Sequence, residues 1–142
     1  MKKNANKGFS LVELIIVIAI MAVLVGVLAP QFIKYVESSR QSTDIDSVAE
    51  YKVAVEAYVA DESTSGSTVP GTIAIHVGSN GVYADVDLSD IGLAAGSSSA
   101  TPLKSNGWGT AEFTYTVSTF SWNAGSVQNS NSPSKDLQAA FE

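Results

Sequence analysis

Glu13 is the only charged side chain between Lys7 and Lys34, at the head of an apolar run, Leu14 to Ala29, broken only by Gly26. Insertion scales put a charge at a helix centre about 2.5–3.5 kcal/mol uphill in hydrocarbon for Asp, Lys or Arg. A segment that served only as an anchor would carry Leu at that position, so the carboxylate points to a role. Lys2, Lys3 and Lys7 form a basic flank ending at Gly8, where a processing enzyme could cut between a small residue and Phe9.

Elsewhere the residues that could do chemistry are sparse. His76 is the only histidine and lies between Ile75 and Val77 in a strand-like stretch, where alternation turns it towards solvent. With no cysteine and no second histidine, the usual zinc sets cannot form within the chain. Neither a Gly-x-Ser-x-Gly elbow nor a phosphate-binding glycine motif is present. Asp85, Asp87 and Asp90 offer oxygen ligands of the kind calcium takes, with a solvated acidic face as the alternative. These residues point to a protein that is not an enzyme and needs no cofactor.

Gly8, Phe9, Ser10, Leu11, Val12 and Glu13 followed by the apolar run resemble the amino terminus of the type IV pilin family. That family also includes the pseudopilins of type II secretion and DNA uptake. Its pattern is a short basic leader ending in Gly (here of the class III type), an aromatic residue, a small hydroxyl residue, two apolar residues, Glu and a long apolar helix. The resemblance implies cleavage after Gly8 by a membrane aspartic peptidase and methylation of the new amino group on Phe9. It implies that Glu13 meets the charged amino terminus of a neighbouring subunit in a filament. The fold it implies is a long helix lying across a small antiparallel sheet. Many pilins of bacteria with an outer membrane close their last loop with a disulfide, which a chain without cysteine cannot do. That fits the pilins of Gram-positive anaerobes, clostridia among them, or the pseudopilins better. The major secretion pseudopilins bind calcium in an acidic C-terminal loop, whereas residues 123–134 here contain no carboxylate.

Two plainer readings account for less. As a secretory signal peptide the segment would be cut at Val27-Leu28-Ala29, directly before Pro30, and would carry a carboxylate in its core. As a plain single span, Leu14 to Ala29 is short against the usual 20 or so residues, and Gly8-Phe9 and Glu13 go unexplained.

Composition agrees with an outward-facing body. The chain has 142 residues, enough for one domain besides the membrane segment. Loss of residues 1–8 would leave five Lys/Arg against fourteen Asp/Glu, a balance of −9. The basic flank marks the cytoplasmic side. So acidic a body is poorly suited to binding nucleic acid through its phosphates.

The elements that must position these residues divide the chain into a leader (1–8), a hydrophobic transmembrane or filament-core helix (9–30), an amphipathic helix (31–61) and a β-rich domain (62–142). In the amphipathic part Ile45, Val48, Tyr51, Val55 and Tyr58 recur at helical spacing. Pro30 removes a backbone donor and crowds the carbonyl of Gly26, predicting a kink or local loss of helix that could serve packing in a filament. The apolar first half, with no domain to pack on, is expected to protrude. Strands are predicted at Thr72–Val77 and Val82–Leu88 around an Asn80-Gly81 turn, with a third running from Ala111 to Trp122. Gly92–Thr101 and Asn123–Ser134 read as surface loops. A short helix capped by Ser132 or Ser134 is expected over Ser134–Phe141. The fold class is α+β, with three to four antiparallel strands.

The reading that accommodates all of this is a pilin held in the membrane as a single-span monomer and polymerised into an extracellular homo-oligomer. Its partners would be the prepilin peptidase and a membrane assembly platform, and the filament would serve motility, adhesion or biofilm formation. The alternatives are a pseudopilin of a secretion or DNA-uptake system and a membrane-anchored binding protein that never polymerises.

Overall fold

A computed structural model describes residues 8–66 and 68–142; Lys2, Lys3 and Lys7 of the leader, and Ser67, lie outside these. The chain forms two compact units, Met1–Tyr35 and Val36–Glu142. Helix α1 is Leu11–Ser65, followed by strands β1 (Thr72–Gly78), β2 (Gly81–Ala84), β3 (Ala111–Thr116) and β4 (Ser121–Asn123). The helix runs four residues beyond the expected end at Asp61. It passes unbroken through Gly26 and Pro30, so the expected local loss of helix is absent.

In the first unit α1 exposes apolar side chains on every side, from Leu11 and Val12 through Leu28 to Phe32 and Ile33. An 18-residue window has mean hydropathy 3.1 with none of it buried. A helix apolar all round is suited to lipid or to other helices rather than to water. By length and composition it can cross a membrane.

In the second unit the helix has one inward stripe. Val48, Tyr51, Val55 and Val59 are fully or almost fully buried at three- and four-residue steps, while Ile45 and Tyr58 are only partly covered. The stripe lies on a four-stranded antiparallel sheet of order β2-β1-β3-β4. Ile73, Ile75 and Val77 alternate inward along β1 and meet Val82, Phe113 and Tyr115 from the neighbouring strands. Each large side chain buried there contributes about 1.5–3 kcal/mol. The Asn80-Gly81 turn is as expected. Gly81 has φ of 120°, and a Cβ there would collide with the carbonyl of Thr101.

The long third strand expected from Ala111 to Trp122 is two strands. β3 stops at Thr116, the chain turns over Val117–Phe120, and β4 returns with Tyr115 opposite Trp122. The apolar alternation continued through the turn and concealed it. Phe120 closes that turn at φ 49°, a conformation that costs a side-chain-bearing residue roughly 1–2 kcal/mol. The second strand is shorter than expected because the chain after Ala84 leaves the ladder for a short helical turn at Ser89–Ile91. The last helix is a 3-10 turn, Leu137–Phe141, capped by Asp136, which accepts from the Gln138 amide at 2.9 Å; neither Ser132 nor Ser134 is the cap.

The loop at residues 123–134 is polar, as expected, but it is fastened. Asn129 is buried, its Nδ2 donates to Ser105 Oγ at 2.8 Å, and its amide donates to the Lys135 carbonyl at 2.8 Å. Asn131 Nδ2 donates to Glu37 Oε1 at 3.0 Å, tying the loop to α1. With no cysteine in the chain, hydrogen bonds take the place of a staple here.

Candidate functional site: the head of the apolar helix

Helix α1 begins in the sequence that also carries the candidate processing residues. Gly8, Phe9 and Ser10 precede its first turn, and Phe9 is 81% exposed. The first four amides of a helix have no partner within it. Glu13, in that first turn, reaches back so that its Oε2 accepts the Ser10 backbone N–H at 2.9 Å. This is the glutamate half of a capping box, and a carboxylate there is also favoured by the helix dipole. The signal was legible as Ser10-x-x-Glu13, but reading Glu13 only as a misplaced charge overlooked it.

The arrangement has a chemical consequence. An ionised carboxylate offers acceptor positions on both oxygens. Ser10 occupies Oε2, and among the described residues Oε1 has no partner. Gly8, Phe9 and Glu13 thus lie within six residues at the start of α1, whereas Pro30 lies far along the same helix.

Two carboxylates of the body are held in structural bonds. Asp44, 1% exposed, accepts from the Lys104 amide at 2.6 Å, the Ser105 amide at 2.8 Å and Trp108 Nε1 at 2.8 Å. Glu37 Oε1 accepts from Ser105 Oγ, Gln41 Nε2 and Asn131 Nδ2. The Ser105 hydroxyl, more than any other neighbour, holds the Glu37 carboxyl below its ordinary pKa; burial opposes this, and Gln41, Asn131 and Arg40 assist. Apart from Gln41 and Arg40 on the same helix, these partners stand 60 to 94 residues apart in sequence, so no local spacing could reveal them.

His76 lies on the face opposite the buried Ile75 and Val77, as expected, and is partly exposed but paired there. Its Nε2 lies 2.7 Å from Asp85 Oδ1, its Nδ1 lies 3.5 Å from Glu112 Oε2, and its ring stacks on Tyr83 at 4.9 Å. The three aspartates considered for calcium are engaged differently from one another. Asp85 pairs with His76, while Asp87 accepts the Ser89 amide at 3.0 Å, and the Ser89 bonds hold its pKa low. Asp90 lies beside Asp87 on the rim of a surface groove. Among the described residues no three His, Cys, Asp or Glu side chains are grouped to hold a metal ion.

Comparison with known proteins places this geometry. Residues 3–29 match the prokaryotic N-terminal methylation motif. The chain is 36% identical over 66 residues to prepilin peptidase-dependent protein A of Clostridium perfringens, covering 46% of this chain and 47% of the relative. It is 33% identical over 69 residues to the type IV major fimbrial protein FimA of Dichelobacter nodosus, covering 49% and 44%. These matches span about half the length of the relatives. A longer match, 30% identical over 110 residues, is to the fimbrial protein EcpC of Eikenella corrodens and covers 68% of this chain and 71% of the relative. No solved structure matches the chain. Two of these three relatives are fimbrial proteins. Family membership with an apolar amino-terminal helix carries a location: anchored in the membrane before assembly and in an extracellular pilus afterwards. The long helix, the antiparallel sheet, the methylation motif and the extended fimbrial match agree, and the chain belongs to the type IV pilin family.

Proposed function

We propose that this chain is the repeating structural subunit of a type IV pilus. Prepilin peptidase cuts after Gly8, Phe9 receives the methyl group, and a membrane assembly platform moves the subunit from the bilayer into the filament. The observation that carries this reading is Glu13, a lone carboxylate in an apolar helix with one oxygen engaged by Ser10. In a bundle of such helices the free oxygen meets the amino group of a neighbouring Phe9. Two unit charges about 4 Å apart attract by roughly 4 kcal/mol at an effective dielectric near 20. Either charge left alone in the same place is strongly disfavoured. Glu13 then selects helix register while the apolar surface supplies adhesion. Pro30 belongs to the same segment as a point where α1 can yield during packing. The filament serves motility, surface adhesion or biofilm formation.

The test is expression in a host with a pilus machine. Mass spectrometry of the mature chain is expected to show a methylated Phe9 as first residue. Replacing Gly8 by a bulky residue leaves the leader attached. A different first residue overturns the processing assignment, and processed chains that never enter sheared filaments favour a membrane-anchored binding protein.

A further inference from the structure

The body Val36–Glu142 exposes three large hydrophobic side chains among the described residues, Val53, Ile91 and Phe120, at 63%, 60% and 72%. They form two patches. Val53 and Ile91, with Ala57 and Leu93, floor a groove between α1 and the turn at Ser89–Ile91. The groove lies on the β2 side of the sheet, since Ala84 of β2 bridges to Ala95 in the segment just beyond it. Phe120 stands at the β3–β4 turn, on the opposite edge of the sheet order β2-β1-β3-β4.

Charge divides along the same line. The groove and its continuation along α1 are rimmed by Asp46, Glu50, Asp61, Glu62, Asp87 and Asp90, with no Lys or Arg in the lining. Lys52 lies on the other flank, its Nζ 5.8 Å from the Phe141 ring, which in turn packs on Trp122 of β4. Asp61 and Lys52 are nine residues apart, and at 3.6 residues per turn that is half a turn away, on opposite sides of α1. Of the carboxylates on the Lys52 flank, Glu56 is taken up by Trp122 Nε1 at 2.8 Å, while Glu142, next to Phe141, is exposed. A second cation, Lys135, reaches Ser42 earlier on the helix.

From this polarity we infer that the acid-rimmed groove around Val53 and Ile91 receives the β4 flank of a second copy of this chain, with its Phe120 ring on the apolar floor and its Lys52 facing the rim. This rests on the pilin reading and deepens it by naming a contact between bodies. Because the two surfaces differ, the contact is heterologous: each copy keeps one free knob and one free groove, and repetition gives an open helical array rather than a closed pair. Burial of the exposed aromatic supplies adhesion, and the opposed charges fix which flank is accepted.

The chain has no cysteine, which makes the test direct. Phe120→Cys and Ile91→Cys are introduced together in the full chain, and filaments are sheared, oxidised and run without reductant. The expected result is a ladder of dimers, trimers and higher species, with neither single substitution going beyond a dimer. Filaments without a ladder overturn this interface while leaving the pilin reading intact. A parent chain that makes no filaments overturns the pilin reading itself. Independently, Ile91→Asp puts a carboxylate on the groove floor. Filament yield is expected to fall at least about tenfold, equivalent to roughly 1.4 kcal/mol, while processed monomer stays in the membrane. Undiminished filaments in that variant also overturn the interface.

Discussion

The Ser10 amide and the Glu13 carboxylate are joined by a 2.9 Å hydrogen bond across the first turn of α1. The one charge in the apolar segment therefore has a partner within its own chain. Local helix capping and contact with a neighbour's amine draw on different oxygens of one side chain, and substitution can separate them.

Glu13→Gln keeps an oxygen that can accept from Ser10 but removes the charge. Filaments are expected to be lost while processed monomer accumulates in the membrane, as with Glu13→Ala. The capping contribution, about 0.5–2 kcal/mol in comparable caps, separates the two variants in the helicity of the isolated amino-terminal peptide in micelles. Normal filament yield from Glu13→Gln would mean that charge is not what the assembly needs.

Asp44→Ala leaves the amides of Lys104 and Ser105 and the indole of Trp108 without their acceptor in a buried site. Each unmet donor costs about 1–3 kcal/mol, so urea unfolding is expected to show a loss of at least about 3 kcal/mol. Wild-type stability would show that water enters and satisfies these groups.

Acid should loosen the body. The Glu37, Asp87 and Asp136 carboxyls are all held below their ordinary values of 4.5, 3.8 and 3.8. For Asp136 burial opposes the shift, and bonds from Ser126, Gln138 and Val127 prevail. A depressed folded-state pKa stabilises fully above the unfolded value and is lost as pH falls through the folded value. Denaturation midpoints should hold from pH 7 to about 5 and then decline from the ordinary carboxylate range downwards. Glu37→Gln should flatten that decline; a curve parallel to the parent's would remove Glu37 from the account.

Phe120→Asn replaces a ring held at positive φ by a residue that tolerates that conformation. Thermal unfolding is expected to show unchanged or higher stability, by up to about 1 kcal/mol, together with poorer filament formation. A variant that is less stable would show that the ring supports the hairpin.

The amino-terminal segment was readable because its information is local. Gly8, Phe9 and Glu13 are adjacent in sequence, and the apolar run declares its preferred surroundings by composition alone. The inward stripe Val48, Tyr51, Val55 was equally plain, since helical spacing repeats whatever the stripe packs against. The β3–β4 turn was missed because Val117 and Thr119 carry the alternation beyond Thr116 and through the turn itself, Val117–Phe120. The partner of His76 was missed because Asp85 comes beside it only when β2 folds back on β1, whereas the cap at Asp136 is local, accepting from the amide two residues on, and was overlooked.

By itself the sequence determined that Glu13 would be the lone charge in an apolar helix, and that one face of the helix would seek a sheet. Hydrophobic periodicity and composition act over one or two turns, so they are written along the chain. Only the tertiary structure decided that Asp44 would gather donors from residues 104–108, that Glu37 would hold Asn131, and that Phe120 and the Val53–Ile91 groove would stand on opposite edges of one sheet. Hydrogen bonds and surface patches between distant segments depend on how those segments fold together, which no local spacing encodes.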